Sequence, residues 1–191
     1  NMSQSLKLTI ITPSFNQGAY IEQTIGSVLA QDYPRVEHIV IDGGSTDCTI
    51  DQLKKYPHLR WVSEKDRGQA DALNKGLAKA SGDIIGWLNS DDYYEDKIFG
   101  SIVKCFEDPD VMWVIGHLTF LWDKTGELVA KKSPLISYAR LLNNPDIVCQ
   151  PSTFFRKSFI EQVGGWNPDF FMAMDFDLWV RLAKISSPRM I

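Results

Sequence analysis

Short apolar runs alternate with amphipathic stretches through the first hundred residues. The run LKLTIIT (6–12) is apolar, rich in β-branched residues and stopped by Pro13, which predicts a buried strand. From Tyr20 to Gln31, Ile21, Ile25, Val28 and Leu29 recur at i, i+4, i+7 and i+8, one face of a helix. Pro34 separates this helix from a second strand, VEHIVI (36–41). STDCTIDQLKKY (45–56) opens on helix-start residues, and LRWVS (59–63) reads as a third strand. QADALNKGLAKA (69–80) sets Ala70, Leu73, Leu77 and Ala80 on one helical face. DIIGWL (83–88) is a fourth strand, and Ile98, Phe99, Ile102, Val103 and Phe106 mark another helix.

Four strand–helix alternations predict βαβ units, hence a parallel sheet with helices on both faces. After about residue 110 the rhythm changes. VMWVIGHLTFLW and ELVAKK flank the turn signal DKTG (123–126), which predicts an antiparallel hairpin, and DFDLWVRLAKI closes the chain as a helix. The expected organisation is one α/β domain over 1–191, with a nucleotide-binding half over about 6–92 and an acceptor-side half over about 93–191. The sequence stops abruptly after LAKISSPRMI, so a longer parent protein is expected.

Composition narrows the function classes. A net charge of −4 argues against a general nucleic-acid surface. No apolar stretch approaches the roughly 20 residues a membrane span needs, and no secretory signal stands at the start. The three cysteines, Cys48, Cys105 and Cys149, are far apart and form no C-x-x-C pair, which fits a reduced, cytoplasmic compartment. His38, His58 and His117 lack the spacing of a zinc site.

Candidate chemistry collects after the strands. Strand one is followed by PSFNQG (13–18), strand two by DGGSTD (42–47), strand three by EKDRGQ (64–69) and strand four by NSDD (89–92). In an open parallel sheet these loops share one edge, where ligands bind. Neither G-x-G-x-x-G nor a P-loop is present. Asp42, ahead of Gly43 and Gly44, reads either as a carboxylate for a ribose or base, or as the cap of the next helix. The adjacent Asp91 and Asp92 follow a strongly apolar run. They read either as an exposed acidic turn or as a pair neutralised by Mg²⁺ or Mn²⁺ carrying a nucleotide diphosphate. Arg67 would pair with phosphate, or with Asp91 and Asp92 in the empty site; Asp66 and Asp71 would be caps or ligand contacts. On the last helix Asp175 shares the buried face with Leu178 and Trp179, whereas Asp177 aligns with Arg181 and Lys184 as a solvent-side ion-pair row. Asp175 is then an N-cap or a general base.

The landmarks TPSFNQGAYIEQTIGSVLAQDYP, EHIVIDGGSTDCT, SEKDRGQADALNKGLAKASGDIIGWLNSDD and QPSTFFRKSFIEQVGGWNPDFFMAMDFDLWVRLA, in that order, resemble the family 2 glycosyltransferases, which have the GT-A fold. The resemblance covers about residues 6–185 and implies an inverting transfer of a sugar from a nucleotide-diphosphate donor, most commonly a UDP-sugar. It implies that Asp42 holds the nucleoside, that Pro13, Ser14 and Asn16 line its pocket, and that Asp66, Arg67 and Gln69 contact base or phosphate. It further implies that Asp91 binds Mn²⁺ or Mg²⁺, that Asp92 supports the metal or ribose, that Asp175 is the base, and that Trp166 borders the acceptor. Two positions depart from the family pattern: Asn89 opens the motif often written D-x-D, and Met174 stands where a Glu usually precedes the base. The acceptor, a glycan or lipid-linked chain, would be bound by loops near 117–150 and 165–174. The setting implied is cell-surface polysaccharide synthesis, in the cytoplasm or peripherally on the inner membrane face. Two other readings stand beside this one: a non-catalytic sugar-nucleotide or glycan-binding module, and a nucleotidyltransferase.

Overall fold

The computed structural model describes residues 5–122, 124–144, 147–170 and 172–191. Strands β1 (Leu8–Ser14), β2 (Val36–Asp42), β3 (Arg60–Ser63) and β4 (Ile84–Trp87) are joined through helices α1 (Ile21–Leu29), α2 (Thr49–Leu53) and α3 (Gln69–Lys79). The four strands lie parallel in the order β3-β2-β1-β4. All seven residues of β1 are buried, as a strand covered on both faces requires. The chain leaves β1 towards β2 on one side and reaches β4 on the other. The carboxyl ends of β1 and β4 therefore flank the point where strand order reverses, the position at which open α/β sheets take their ligands.

The second half extends the sheet. Helix α4 (Phe99–Cys105) leads to β5 (Trp113–Ile115). A separate hairpin of β6 (Leu118–Trp122) and β7 (Glu127–Lys131) follows, then α5 (Tyr138–Asn143) and a 3-10 turn over Gln150–Ser152. Strand β8 (Thr153–Arg156), α6 (Lys157–Gln162), α7 (Met174–Ala183) and β9 (Arg189–Met190) complete the chain. β8 inserts antiparallel between β4 and β5, giving a seven-stranded sheet. The architecture is a mixed, mostly parallel α/β sheet flanked by helices, with a small separate antiparallel hairpin.

Two apolar layers clamp the sheet. On one face Ile11, Ile39 and Ile85 pack with Leu73 and Leu77 of α3 and with Leu178 and Trp179 of α7. On the other, Leu8, Ile10 and Phe154 pack with Phe99 and Ile102 of α4, and Val40 with Ile21 and Ile25 of α1. Gly76 lets α3 lie directly on β1: a Cβ there would sit 2.3 Å from Ile11 Cγ2. Among the described residues no helix is long and apolar enough to cross a membrane.

Several sequence expectations change. The second helix begins at Thr49 rather than Ser45, because Ser45, Thr46 and Asp47 are engaged in loop hydrogen bonds. β8 and α6 were not read from the sequence. In the hairpin turn, Asp123 lies outside the described residues. Asp177 does pair with Arg181, at 2.7 Å, but not on an open solvent face. The Arg181 guanidinium also donates to the carbonyls of Val163 (2.7 Å) and Gly165 (2.9 Å), so the pair fastens the Gly164–Gly165 turn to α7.

Candidate active site

The four loops after β1 to β4 converge as the alternation predicts. They enclose a cavity of about 800 Å³ lined by Pro13, Ser14 and Phe15 from the first, Gly43, Gly44 and Thr46 from the second, Lys65, Asp66, Gly68 and Gln69 from the third and start of α3, and Asn89, Ser90 and Asp91 from the fourth. A second cavity of about 160 Å³ adjoins it, lined by Gln69, Trp87, Asn89, Gln150, Met172, Met174 and Asp175. Gln69 and Asn89 belong to both walls. Asp91 and Asp175, 84 positions apart in the chain, thus open onto neighbouring parts of one cleft.

Loop geometry decides which side chains face this space. Asp42 does not. It is fully buried, and its Oδ2 accepts from the Gly44 N–H (3.0 Å), the Ser45 N–H (2.9 Å) and the Ser63 hydroxyl (2.7 Å), while Oδ1 accepts from the Ser45 hydroxyl. A carboxylate has about four acceptor sites, so these bonds occupy it. Asp42 holds the glycine turn in shape, and Gly43 and Gly44 present the backbone to the cavity. Gly43 lets the Asp66 carboxylate come close: a Cβ would stand 2.8 Å from Asp66 Oδ2 and push that side chain aside. Asn16 is likewise spent on the loops: its Oδ1 accepts from Thr46 N–H (2.9 Å) and its own N–H donates to the Ser45 hydroxyl (2.8 Å).

Pro13 and Ser14 do line the cavity, and among the described residues the buried Ser14 hydroxyl has no hydrogen-bond partner. Asp66 lines it too, its Oδ1 accepting from Gly68 N–H at 2.9 Å. Arg67 turns outward and is 78% exposed. It meets Asp71 at 3.4 Å and does not pair with Asp91 or Asp92 in this structure. Asp71, which also accepts from the Arg67 N–H (3.1 Å), is a loop-to-helix tie. That main-chain bond is the chief reason its carboxyl is held below the usual range.

Asp91 is exposed at the cavity wall, whereas Asp92 is partly buried beside it. The Asp92 carboxyl is pushed up from 3.8 to about 6, first by burial and then by the Asp91 charge, against a hydrogen bond from Asn89 that lowers it. Two oxygen-donor carboxylates under mutual repulsion fit a hard divalent cation whose remaining ligands are phosphate oxygens and water. Among the described residues no cluster of three or more His, Cys, Asp or Glu side chains supplies an all-protein cage.

Asp175 sits inside the first turn of α7, not at its cap; the cap position is Ala173. Its Oδ1 accepts from the Phe176 N–H (2.8 Å), and among the described residues no ion pair engages it. Trp166 corrects an expectation. It is wholly buried, edge-on to Trp87 (5.7 Å between ring centroids) and to Phe155 (6.5 Å), and lines neither cavity. A side chain of that size lies in the core beneath the site and offers an acceptor no surface. Phe15, 60% exposed on the cavity wall, and Gln150, in the wall of the second, were not singled out from the sequence. An aromatic just past a buried strand could have flagged Phe15; no local signal marks Gln150.

With this geometry, likeness to known proteins becomes informative. The model of the family "Glycosyl transferase family 2" matches residues 9–164, and the chain belongs to that family. It is thus a glycosyltransferase. It is 41% identical over 186 residues to Bacillus subtilis TuaG, a glycosyltransferase named for teichuronic acid biosynthesis, covering 93% of this chain and 72% of that one. Among solved structures it resembles S. aureus TarS in complex with UDP (TM-score 0.80, 18% identity, 97% of this chain and 58% of that one). It also resembles the mannosyltransferase PcManGT of Pyrobaculum calidifontis with GDP-Man and Mn²⁺ (TM-score 0.73, 24% identity, 99% and 55%). The chain therefore spans little more than half the length of those two structures.

Proposed function

We propose that the protein transfers a sugar, with inversion, from a nucleotide-diphosphate donor to an acceptor hydroxyl, aided by a divalent metal. The observation that carries this reading is the shared wall of Gln69 and Asn89. It sets Asp91, with Asp92 next to it in the chain, and Asp175 on two sides of one cleft. The larger cavity accommodates the nucleotide, with the backbone at Gly43 and Gly44 against the nucleoside and Ser14 supplying a hydroxyl that has no partner among the described residues. Asp91 and Asp92 would hold Mn²⁺ or Mg²⁺, which neutralises charge on a leaving diphosphate. Asp175, at the smaller cavity, removes the proton of the acceptor hydroxyl as its oxygen attacks the anomeric carbon. A single displacement of this kind breaks the bond to the diphosphate as the glycosidic bond forms, so the anomeric configuration inverts.

A UDP-sugar is the favoured donor, by analogy with the UDP bound to TarS, and a glycan or lipid-linked chain the favoured acceptor. The likeness to TuaG favours cell-envelope polysaccharide synthesis, carried out on the cytoplasmic side of the membrane. The test is calorimetry and transfer assays on two variants. Asp91→Ala should abolish the Mn²⁺-dependent part of UDP binding. Asp175→Asn should keep that binding and lose transfer, by about 10²- to 10⁴-fold in rate. Turnover at the parent rate by Asp175→Asn would remove that residue from the mechanism.

A further inference from the structure

Trp87 holds both ends of a closed ring of hydrogen bonds. Its indole N–H donates to Asn89 Oδ1 (2.8 Å), Asn89 Nδ2 donates to Gln150 Oε1 (3.0 Å), and Gln150 Nε2 donates to the Trp87 main-chain carbonyl (2.9 Å). An indole N–H can only donate and a carbonyl oxygen can only accept. Every bond in the ring therefore has a fixed direction, and neither amide can turn over without losing two of them.

Asn89 is fully used by this arrangement. Its Oδ1 also accepts from Gln69 Nε2 (2.7 Å), and its main-chain carbonyl accepts the Asp92 N–H (3.2 Å). Where a D-x-D motif would carry a carboxylate, this chain has a side chain bonded to Gln69, Trp87 and Gln150, on a residue whose carbonyl holds the Asp92 N–H. Gln150 reaches the ring from the 3-10 turn ahead of β8, so the second half of the chain grips the carboxylate turn of the first.

We propose that Gln150 is a positioning residue of the transfer site, fixing through Asn89 where the Asp91–Asp92 turn stands relative to Asp175. The proposal rests on the reading of the preceding subsection. Asn89 and Gln150 form a matched pair: an aspartate at 89 would set a carboxylate oxygen against Gln150 Oε1.

Gln150→Met keeps volume and removes both bonds. In the full chain, its Trp87 indole ¹⁵N–¹H resonance, assigned with Trp87→Phe, should shift and exchange faster with solvent. At saturating Mn²⁺ and donor, kcat should fall by about 10- to 100-fold, the cost of a slightly misplaced reacting group, with donor KM changed less than about threefold. Asn89→Asp should lose a similar factor, and Asn89→Asp/Gln150→Met no more than the worse single variant, because the two act as one unit. Parent kcat in Gln150→Met, multiplicative losses in the double variant, or a kcat fall matched by the lost folded fraction would each overturn the proposal. Absence of transfer and of Mn²⁺-dependent UDP binding by the parent protein would instead sink the reading beneath it.

Discussion

Asn74 of α3 pairs with both main-chain polar groups of Trp166, 92 positions later. Its Oδ1 accepts the Trp166 N–H at 3.0 Å and its Nδ2 donates to the Trp166 carbonyl at 2.7 Å. The approach of Asn74 needs the glycine before Trp166, since a Cβ on Gly165 (φ +69°) would lie 2.4 Å from Asn74 Oδ1. Asn74→Ala leaves two main-chain groups without partners at a half-buried place and should destabilise by about 2 kcal/mol. In a domain of this size that lowers Tm by about 4–8 °C. Asn74→Asp keeps the acceptor but turns a carboxylate oxygen towards the Trp166 carbonyl, so it should not recover the loss. Thermal unfolding of the three proteins checks this, and an unchanged Tm in Asn74→Ala would deny the pairing any role.

Asp42 offers a sharper discrimination. If its carboxylate shapes the loop, Asp42→Asn should weaken both folding and UDP binding. Losing charged acceptance of several hydrogen bonds should cost about 2–3 kcal/mol of stability. Urea unfolding and calorimetry on the same sample separate the alternatives. Full stability with binding abolished would mean that Asp42 touches the nucleoside directly.

The contrast between Asp42 and Asn89 shows how far the sequence could be read. β1 to β4 were legible because each is a compact apolar run between polar, glycine-bearing loops, and their shared edge follows from the parallel order alone. That a carboxylate stands at the end of β2 was equally plain. Whether it faces the crevice or turns back on its own loop was not, because both conformations use the same residue types. Asn89 was visible only as a departure from a motif. Its role depends on Gln150, 61 positions away on a 3-10 turn, and on a strand, β8, too short to show a period of its own. Trp166 was placed by resemblance near the acceptor. Its actual burial is set by Trp87 and Phe155, which no local pattern connects to it.

Phe15 leaves 60% of its surface exposed on the wall of the larger cavity. An aromatic ring in that position can stack on a base, an interaction worth about 1–3 kcal/mol where it has been tested by alanine substitution. Phe15→Ala should therefore weaken UDP binding by about tenfold or more while leaving Tm within about 2 °C, because little of the ring contributes to the core. Isothermal titration with UDP and Mn²⁺ measures the first quantity. Equal affinity in the variant would place the base elsewhere in the cavity.

Asp92 contributes an inverted pH dependence over a defined interval. Its carboxyl rises from 3.8 to about 6 in the fold, through burial first and the Asp91 charge second. Between those values the native state binds more protons than the unfolded chain, so this group's contribution makes stability fall as pH rises through the interval. Glu37 works the other way at lower pH. Burial raises its carboxyl, but hydrogen bonds from the Ser81 amide, Thr9, the Ser81 hydroxyl and Arg60 outweigh that and hold it at about 2. Its stabilisation is complete above 4.5 and is lost as pH falls towards 2. Comparing the parent with Asp92→Asn cancels Glu37 and isolates Asp92. Without metal, the variant should be the more stable at pH 7, by at most about 3 kcal/mol, and the difference should vanish near pH 4. Adding Mn²⁺ and UDP should reverse the order, since a ligand that uses the Asp92 carboxylate stabilises only the parent. Urea unfolding at pH 4, 5.5 and 7, with and without Mn²⁺ and UDP, reads both effects. A variant no more stable than the parent at pH 7 without metal would show that the carboxylate pair is not under strain.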